Sequence, residues 1–138
     1  GLALGSGATA EDAQLAKEIF CAIGTVVDVD ESLMDAVTAV SGSGPAYIYL
    51  LAEAMIEGGI RTGFDRETAT ALVQQTIRGA AELLVHDERS AKELRESVTS
   101  KGGTTDAAIK VMNEHRVSEA VQEAVVAARD RGKELGKS

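Results

Sequence analysis

The sequence predicts a mainly helical protein with a short strand–helix–strand segment at its front. Alanine recurs along most of the chain, only 3% of its 138 residues are aromatic, and the single proline is Pro45. Alanine is the strongest helix former, aromatic side chains favour strands, and proline breaks helices, so this composition leans towards α. The third observation is periodicity. Apolar residues recur at helical spacing in several blocks separated by glycine, Asp or Ser.

The first 30 residues stand apart. Leu2-Ala3-Leu4 is a short apolar run and Gly5-Ser6-Gly7 a break. Ala13, Leu15, Ala16, Ile19 and Phe20 then follow at helical spacing from a start at Thr9 or Ala10, and Gly24 stops them. Thr25-Val26-Val27-Asp28-Val29 is β-branched and reads as a strand. Beyond Glu31 only helices are expected. Ser32 to Val40 is a short amphipathic piece. Ser41-Gly42-Ser43-Gly44-Pro45 is a flexible corner, with Pro45 in the first turn of a helix over about 45–61. Asp65 caps a long helix to about His86. Ser90 and Glu93 form a capping box for a helix to about Val98. Thr99 to Gly103 is a loop, Thr104 caps a helix to about Glu114, and the last helix runs from Val117 to Leu135.

Composition also excludes function classes. Lys and Arg number 14 against 22 Asp and Glu, a net charge of -8. Such a surface repels phosphate backbones and anionic membranes, which argues against nucleic acid or lipid as a partner. No apolar run has the length of a bilayer-spanning helix. One cysteine, Cys21, makes no internal disulfide, and with two distant histidines it argues against a zinc site; no metal is expected. Nothing at the front reads as a signal peptide, and a cytoplasmic protein is expected. The chain opens on Gly, which reads as a piece cut from something longer.

Four short patterns invite chemistry. Gly5-Ser6-Gly7-Ala8-Thr9-Ala10 satisfies a dinucleotide fingerprint, with Asp28 and Asp30 near the end of the next strand. Glu11 and Asp12, however, put two carboxylates where a pyrophosphate must sit, so a turn and a solvated helix start is the preferred reading. Gly136-Lys137-Ser138 resembles the tail of a P-loop, but Gly132 is too close and no helix follows. Val40 to Tyr47 sets glycines and serines before a helix, which suits either an anion contact or close packing of a corner. Ser97-Val98-Thr99-Ser100-Lys101-Gly102-Gly103-Thr104-Thr105 sets glycines and hydroxyls before another helix. Such a loop aims several N–H groups at one carboxylate or phosphate. His86 suits a helix C-terminus, and His115 reads as a surface residue. No pair of acid and base announces itself.

The two glycine loops, in this order and at this separation, resemble those of pyrroline-5-carboxylate reductase. Leu33 through Ser41-Gly42-Ser43-Gly44-Pro45-Ala46-Tyr47 is similar to one family signature, and Leu94 through Ser97-Val98-Thr99-Ser100-Lys101-Gly102-Gly103-Thr104-Thr105 to another. The likeness runs over residues 11 to 135. It implies reduction of 1-pyrroline-5-carboxylate to L-proline with NADPH or NADH. It also implies a Rossmann domain for the nucleotide and a helical bundle that forms an intertwined homodimer, often assembled into a decamer, with substrate at the dimer interface. On that plan residues 1–30 are the last piece of the dinucleotide-binding domain, and 31–138 are the dimerisation and substrate-binding domain. The cofactor is then held mainly by residues this chain does not contain, and the piece alone is expected to be inactive.

Carried over residue by residue, the resemblance makes Ser100, Gly102, Gly103 and Thr104 the carboxylate site. Thr105 becomes the catalytic candidate, hydrogen-bonded to the ring nitrogen. Glu88 lies near the substrate, and Ser43, Gly44 and Pro45 lie beside the nicotinamide. The family usually has proline where this chain has Lys101, which either adds a cation near the carboxylate or points to solvent. Two other readings stand beside this one: a non-catalytic dimerisation module, and a related imine or hydroxy-acid reductase.

Overall fold

The computed structural model describes residues 1–136. Among them are seven α-helices: α1 Ala10–Cys21, α2 Met34–Val37, α3 Gly44–Arg61, α4 Arg66–His86, α5 Ala91–Ser97, α6 Thr104–Glu114 and α7 Val117–Leu135. The helical class is as expected. The pattern at Gly136-Lys137-Ser138 lies largely outside the described residues.

The two front strands are reduced to one parallel bridge between Leu2 and Asp28. Leu2 N–H donates to the Val27 carbonyl at 2.8 Å and Val29 N–H to the Leu2 carbonyl at 3.0 Å. The direction of pairing is that of a strand–helix–strand unit. Two short parallel segments with no further strand beside them among the described residues do not make a sheet, because parallel sheets need cover on both faces. Lys17 on α1 clasps Asp28 at 2.6 Å and ties helix to bridge.

Local signals set most helix ends where the sequence puts them. Thr9 and Asp12 close a reciprocal capping box on α1, and Ser90 and Glu93 close another on α5. The Asp65 carboxylate accepts from Thr68 N–H at the start of α4. α3 ends in a Schellman motif. Gly63 takes φ +112, its N–H reaches the Ile60 carbonyl, and Phe64 N–H reaches that of Gly59. Gly59 also faces Ala69, whose Cβ would lie 3.2 Å from an added methyl, so two small residues let α3 and α4 touch.

Two details differ from the sequence reading. The expected flexible corner Ser41–Pro45 is mostly helical: Ser41 and Gly42 end a π-helical turn, Thr38–Gly42, closed by Ser43 N–H on the Thr38 carbonyl at 2.8 Å, and Gly44 and Pro45 already open α3. Thr104 is not the cap of α6 but its first residue, and the N-cap is Gly103, which has no side chain to offer.

The chain divides into two compact units, one of residues 1–44 with 122 onward, the other of Pro45–Val121. In the first unit Gly132 on α7 lies against Asp35, whose Oδ1 would be 2.9 Å from an added Cβ. In the second, Ala69 and Val73 on α4 are buried. With Ala39 they are the buried core among the described residues. Tyr49, Leu50, Leu83, Leu84, Val85 and Val98 of the second unit are exposed. The chain exposes 10719 Å². Even two separate compact bodies sharing its 14.4 kDa would expose only about 8,200 Å² by the usual scaling of surface with mass. Among the described residues no helix is long and apolar enough to cross a membrane.

Candidate functional site

The site is built where α5 turns into α6, wholly within the Pro45–Val121 unit. α5 is started by its capping box and ends at Ser97. Its last carbonyls are closed by nearby side chains. The Ser97 hydroxyl donates to the Leu94 carbonyl at 2.7 Å, and the Thr99 hydroxyl to that of Arg95 at 2.6 Å. The chain then reverses over four residues. Gly103 N–H donates to the Ser100 carbonyl at 2.9 Å, and Gly102 takes φ +76. A three-residue hydrogen bond with a left-handed third position is the signature of a type II turn, which needs glycine there and favours proline just before it. Lys101 occupies the position that such a turn offers to proline.

Both glycines are required, for different reasons. Gly102 has open space around it, so its backbone conformation is what demands glycine. Gly103 has an ordinary φ of -80. A Cβ there would lie 2.5 Å from Ser100 Oγ and 3.1 Å from the Ser100 carbonyl oxygen.

The turn spends two of the N–H groups that the sequence reading assigns to a carboxylate. Gly103 N–H is held by Ser100, and Gly102 N–H donates to Asp106 Oδ2 at 2.9 Å. What remains open is the first turn of α6. The first N–H groups of a helix have no intrahelical acceptor, and Gly103 supplies no capping side chain. The N–H groups of Thr104, Thr105 and Asp106 therefore point out of the helix end with its partial positive charge behind them. The half-buried Thr105 hydroxyl has no partner among the described residues, and the exposed Thr104 hydroxyl has none either. The geometry offers an anion two or three backbone donors with two hydroxyls alongside.

Asp106 was not singled out in the sequence. Its carboxylate accepts from Gly102 N–H and from Lys110 Nζ, each at 2.9 Å. Those bonds, the Lys110 one first, hold its carboxyl below the usual carboxylate range. The available signal is an Asp in the first helical turn with a Lys four residues later.

The other expected residues belong to other elements of the chain. Glu88 is exposed in the α4–α5 connection and makes no hydrogen bond or ion pair among the described residues. Its neighbours Asp87 and Arg89 pair at 2.6 Å, and the Arg89 bonds push the Asp87 carboxyl down to about 2. Ser43 closes the π turn, and Gly44 and Pro45 open α3. An apolar groove of about 450 Å³ between α4 and α5 is lined by Leu83, Leu84, Leu94 and Val98.

The front glycine pattern does not fit a dinucleotide. The Asp12 carboxylate accepts from both the N–H and the hydroxyl of Thr9, at 2.8 and 2.7 Å. Those Thr9 bonds keep Asp12 ionised below its ordinary range. The N-terminus of α1 thus already carries its own anion, and a pyrophosphate has no place there.

Comparison with known proteins agrees with this architecture. The family model for pyrroline-5-carboxylate reductase dimerisation matches residues 31–135. A pyrroline-5-carboxylate reductase of Methanosarcina acetivorans is 47% identical over 99% of this chain and 51% of its own length. One from Synechocystis is 49% identical over 88% of this chain and 46% of its own. Among solved structures, the Coxiella burnetii pyrroline-5-carboxylate reductase superposes with a TM-score of 0.92 at 41% identity, covering 98% of this chain and 50% of that one. The Plasmodium falciparum pyrroline carboxylate reductase, solved with NADP bound, gives 0.87 at 32% identity over 96% and 50%. The chain thus spans about half the length of the relatives it matches. With residues 31–135 matched by that family model, this chain belongs to the pyrroline-5-carboxylate reductase family.

Proposed function

We propose that this chain is the substrate-binding and dimerisation half of an enzyme that reduces 1-pyrroline-5-carboxylate to L-proline. The observation that carries the reading is the uncapped N-terminus of α6, with Thr104 and Thr105 presented by a fixed turn. A five-membered imine with a carboxylate on the adjacent carbon needs two things from a protein. Its carboxylate needs clustered donors, and its ring nitrogen needs a partner that fixes which face is open. The N–H groups of Thr104 and Thr105 serve the carboxylate, with the Ser100 hydroxyl beside them. Gly102 and Gly103 shape the loop. The Thr105 hydroxyl serves the ring nitrogen and orients the imine carbon.

Nicotinamide, as NADPH or NADH, supplies the hydride when bound. The front glycine pattern is closed to it, so its nucleotide is held mainly by residues outside this stretch, with Ser43, Gly44 and Pro45 near the nicotinamide end. Residues 1–30 are then the trailing piece of a dinucleotide-binding domain, and 31–138 the helical domain. Glu88 borders the pocket from the α4–α5 connection. No group in the loop acts as a nucleophile. Orientation and preorganised donors are what a hydride acceptor requires.

A second copy of the chain covers the apolar faces. The surface in excess of two compact bodies is about 2,500 Å², which puts the pair in the range of obligate homodimers. A further assembly of dimers into a decamer, and a cytoplasmic location, fit the same reading.

The test is steady-state reduction of pyrroline-5-carboxylate by the full-length protein. Thr105→Ala should lower kcat/KM roughly ten- to a hundredfold, the scale of one oriented hydrogen bond lost from the transition state. Unchanged kinetics would remove Thr105 from the mechanism. Absence of reductase activity in a folded, cofactor-binding full-length protein would favour the non-catalytic module. Turnover of another imine or a keto acid in preference would favour the related reductase.

A further inference from the structure

Resting on the function just proposed, we infer that Asp106 is a positioning residue for the carboxylate loop: it holds Gly102, and through Gly102 the donors at the start of α6. Four observations lead there. Gly102 sits at φ +76, a conformation that a flexible glycine also leaves easily. The bond from its own N–H to Asp106 Oδ2, at 2.9 Å, keeps it there. Asp106 lies on the third residue of α6, so the bond ties the turn to the helix it opens, in place of the side-chain cap that Gly103 lacks. Lys110, one turn further on, lies 2.9 Å from the same oxygen.

Lys110 answers an apparent contradiction. A carboxylate in the first helical turn beside an anion site repels the ligand by Coulomb's law. The ammonium offsets that charge locally and still leaves the carboxylate oxygen free to accept from Gly102. Asp106 is also the least exposed partner of this cluster, its side chain 22% accessible against 67% for Lys110. Removing it leaves the turn with one internal bond, from Gly103 to Ser100. Thr104 and Thr105 are then presented over a spread of directions, and the substrate must pay the cost of selecting the right one.

The experiment uses the full-length protein and two substrates, pyrroline-5-carboxylate and 1-pyrroline, the same ring without the carboxylate. Asp106→Ala should raise KM for pyrroline-5-carboxylate about tenfold, the scale of one lost hydrogen bond to a charged group, with kcat held within about twofold. KM for 1-pyrroline should not move. Asp106→Asn should bring KM for pyrroline-5-carboxylate back near wild type, because its amide oxygen still accepts from Gly102. Four results would overturn the assignment. They are an unchanged KM for the carboxylate substrate in Asp106→Ala, an equal rise for 1-pyrroline, an Asn variant as impaired as the Ala variant, and a fall in kcat at unchanged KM, which signals loss of folded enzyme. A wild-type enzyme with no preference for the carboxylate-bearing ring refutes the carboxylate site itself, separately from Asp106.

Discussion

Substituting Gly102 by alanine isolates the turn's backbone from its packing. No atom lies within 4 Å of where the new Cβ would sit, so nothing clashes. What changes is the cost of φ +76. A left-handed backbone costs an L-residue about 1–2 kcal/mol. The empty loop relieves that strain by rotating out of the turn, and substrate binding must bring it back. The apparent affinity for the carboxylate then falls by about five- to thirtyfold, since each 1.4 kcal/mol is a factor of ten. The assay is KM for pyrroline-5-carboxylate in full-length Gly102→Ala, read beside its thermal unfolding. Gly103→Ala is the companion, since there the fault is crowding against Ser100 Oγ at 2.5 Å. Adding Ser100→Ala should recover part of that loss but none of the loss at Gly102. A Gly102→Ala enzyme within twofold of wild type in KM would refute the reasoning, because the left-handed turn would then not matter to the site.

Three further outcomes follow from the same geometry. Lys101 occupies the position before the left-handed glycine, where proline fits a type II turn; Lys101→Pro should stabilise the fold by about 0.4–1 kcal/mol, checked by denaturant midpoint. Arg116, between α6 and α7, has φ 53. Arg116→Gly should relieve that strain and raise stability by about 1 kcal/mol, again read from the denaturant midpoint. Asp87 is held at about 2 by its bonds to Arg89, well below its ordinary 3.8. A depressed carboxyl stabilises the folded state above its unfolded value and loses that contribution as pH falls through the folded one. Stability of the wild type relative to Asp87→Asn should therefore shrink between about pH 4 and pH 2 and stay level above that window, as measured by unfolding across pH.

Most helices were legible because their ends are written locally. Ser90 with Glu93 and the Asp65 cap are short-range devices, and both appear where the spacing puts them; Thr9, read only as one of two possible helix starts, also closes a box with Asp12. The front strands were less legible. Val26, Val27 and Val29 carry strand propensity, but propensity does not supply the neighbouring strands that make pairing extend beyond Leu2 and Asp28. The π turn at Thr38–Gly42 left no trace in composition, since a hydrogen bond five residues long selects no particular residue. At the site, the glycines and hydroxyls of 100–105 were visible as a cluster. Which N–H groups stay open was not, because that depends on Asp106, whose side chain reaches back four residues to Gly102. The exposed apolar faces follow from the same sequence, where Ala- and Val-faced helices with few aromatics leave large surfaces for another chain to cover.

The central claim is that the start of α6 binds a carboxylate through Thr104 and Thr105. Titration of the full-length protein with proline, following backbone amides by NMR, tests it most directly. The account predicts saturable shifts at the Thr104 and Thr105 amides, with the Gly102 amide, already held by Asp106, moving least. Saturable binding that leaves Thr104 and Thr105 untouched and moves another segment, such as Gly5 to Thr9, would contradict it.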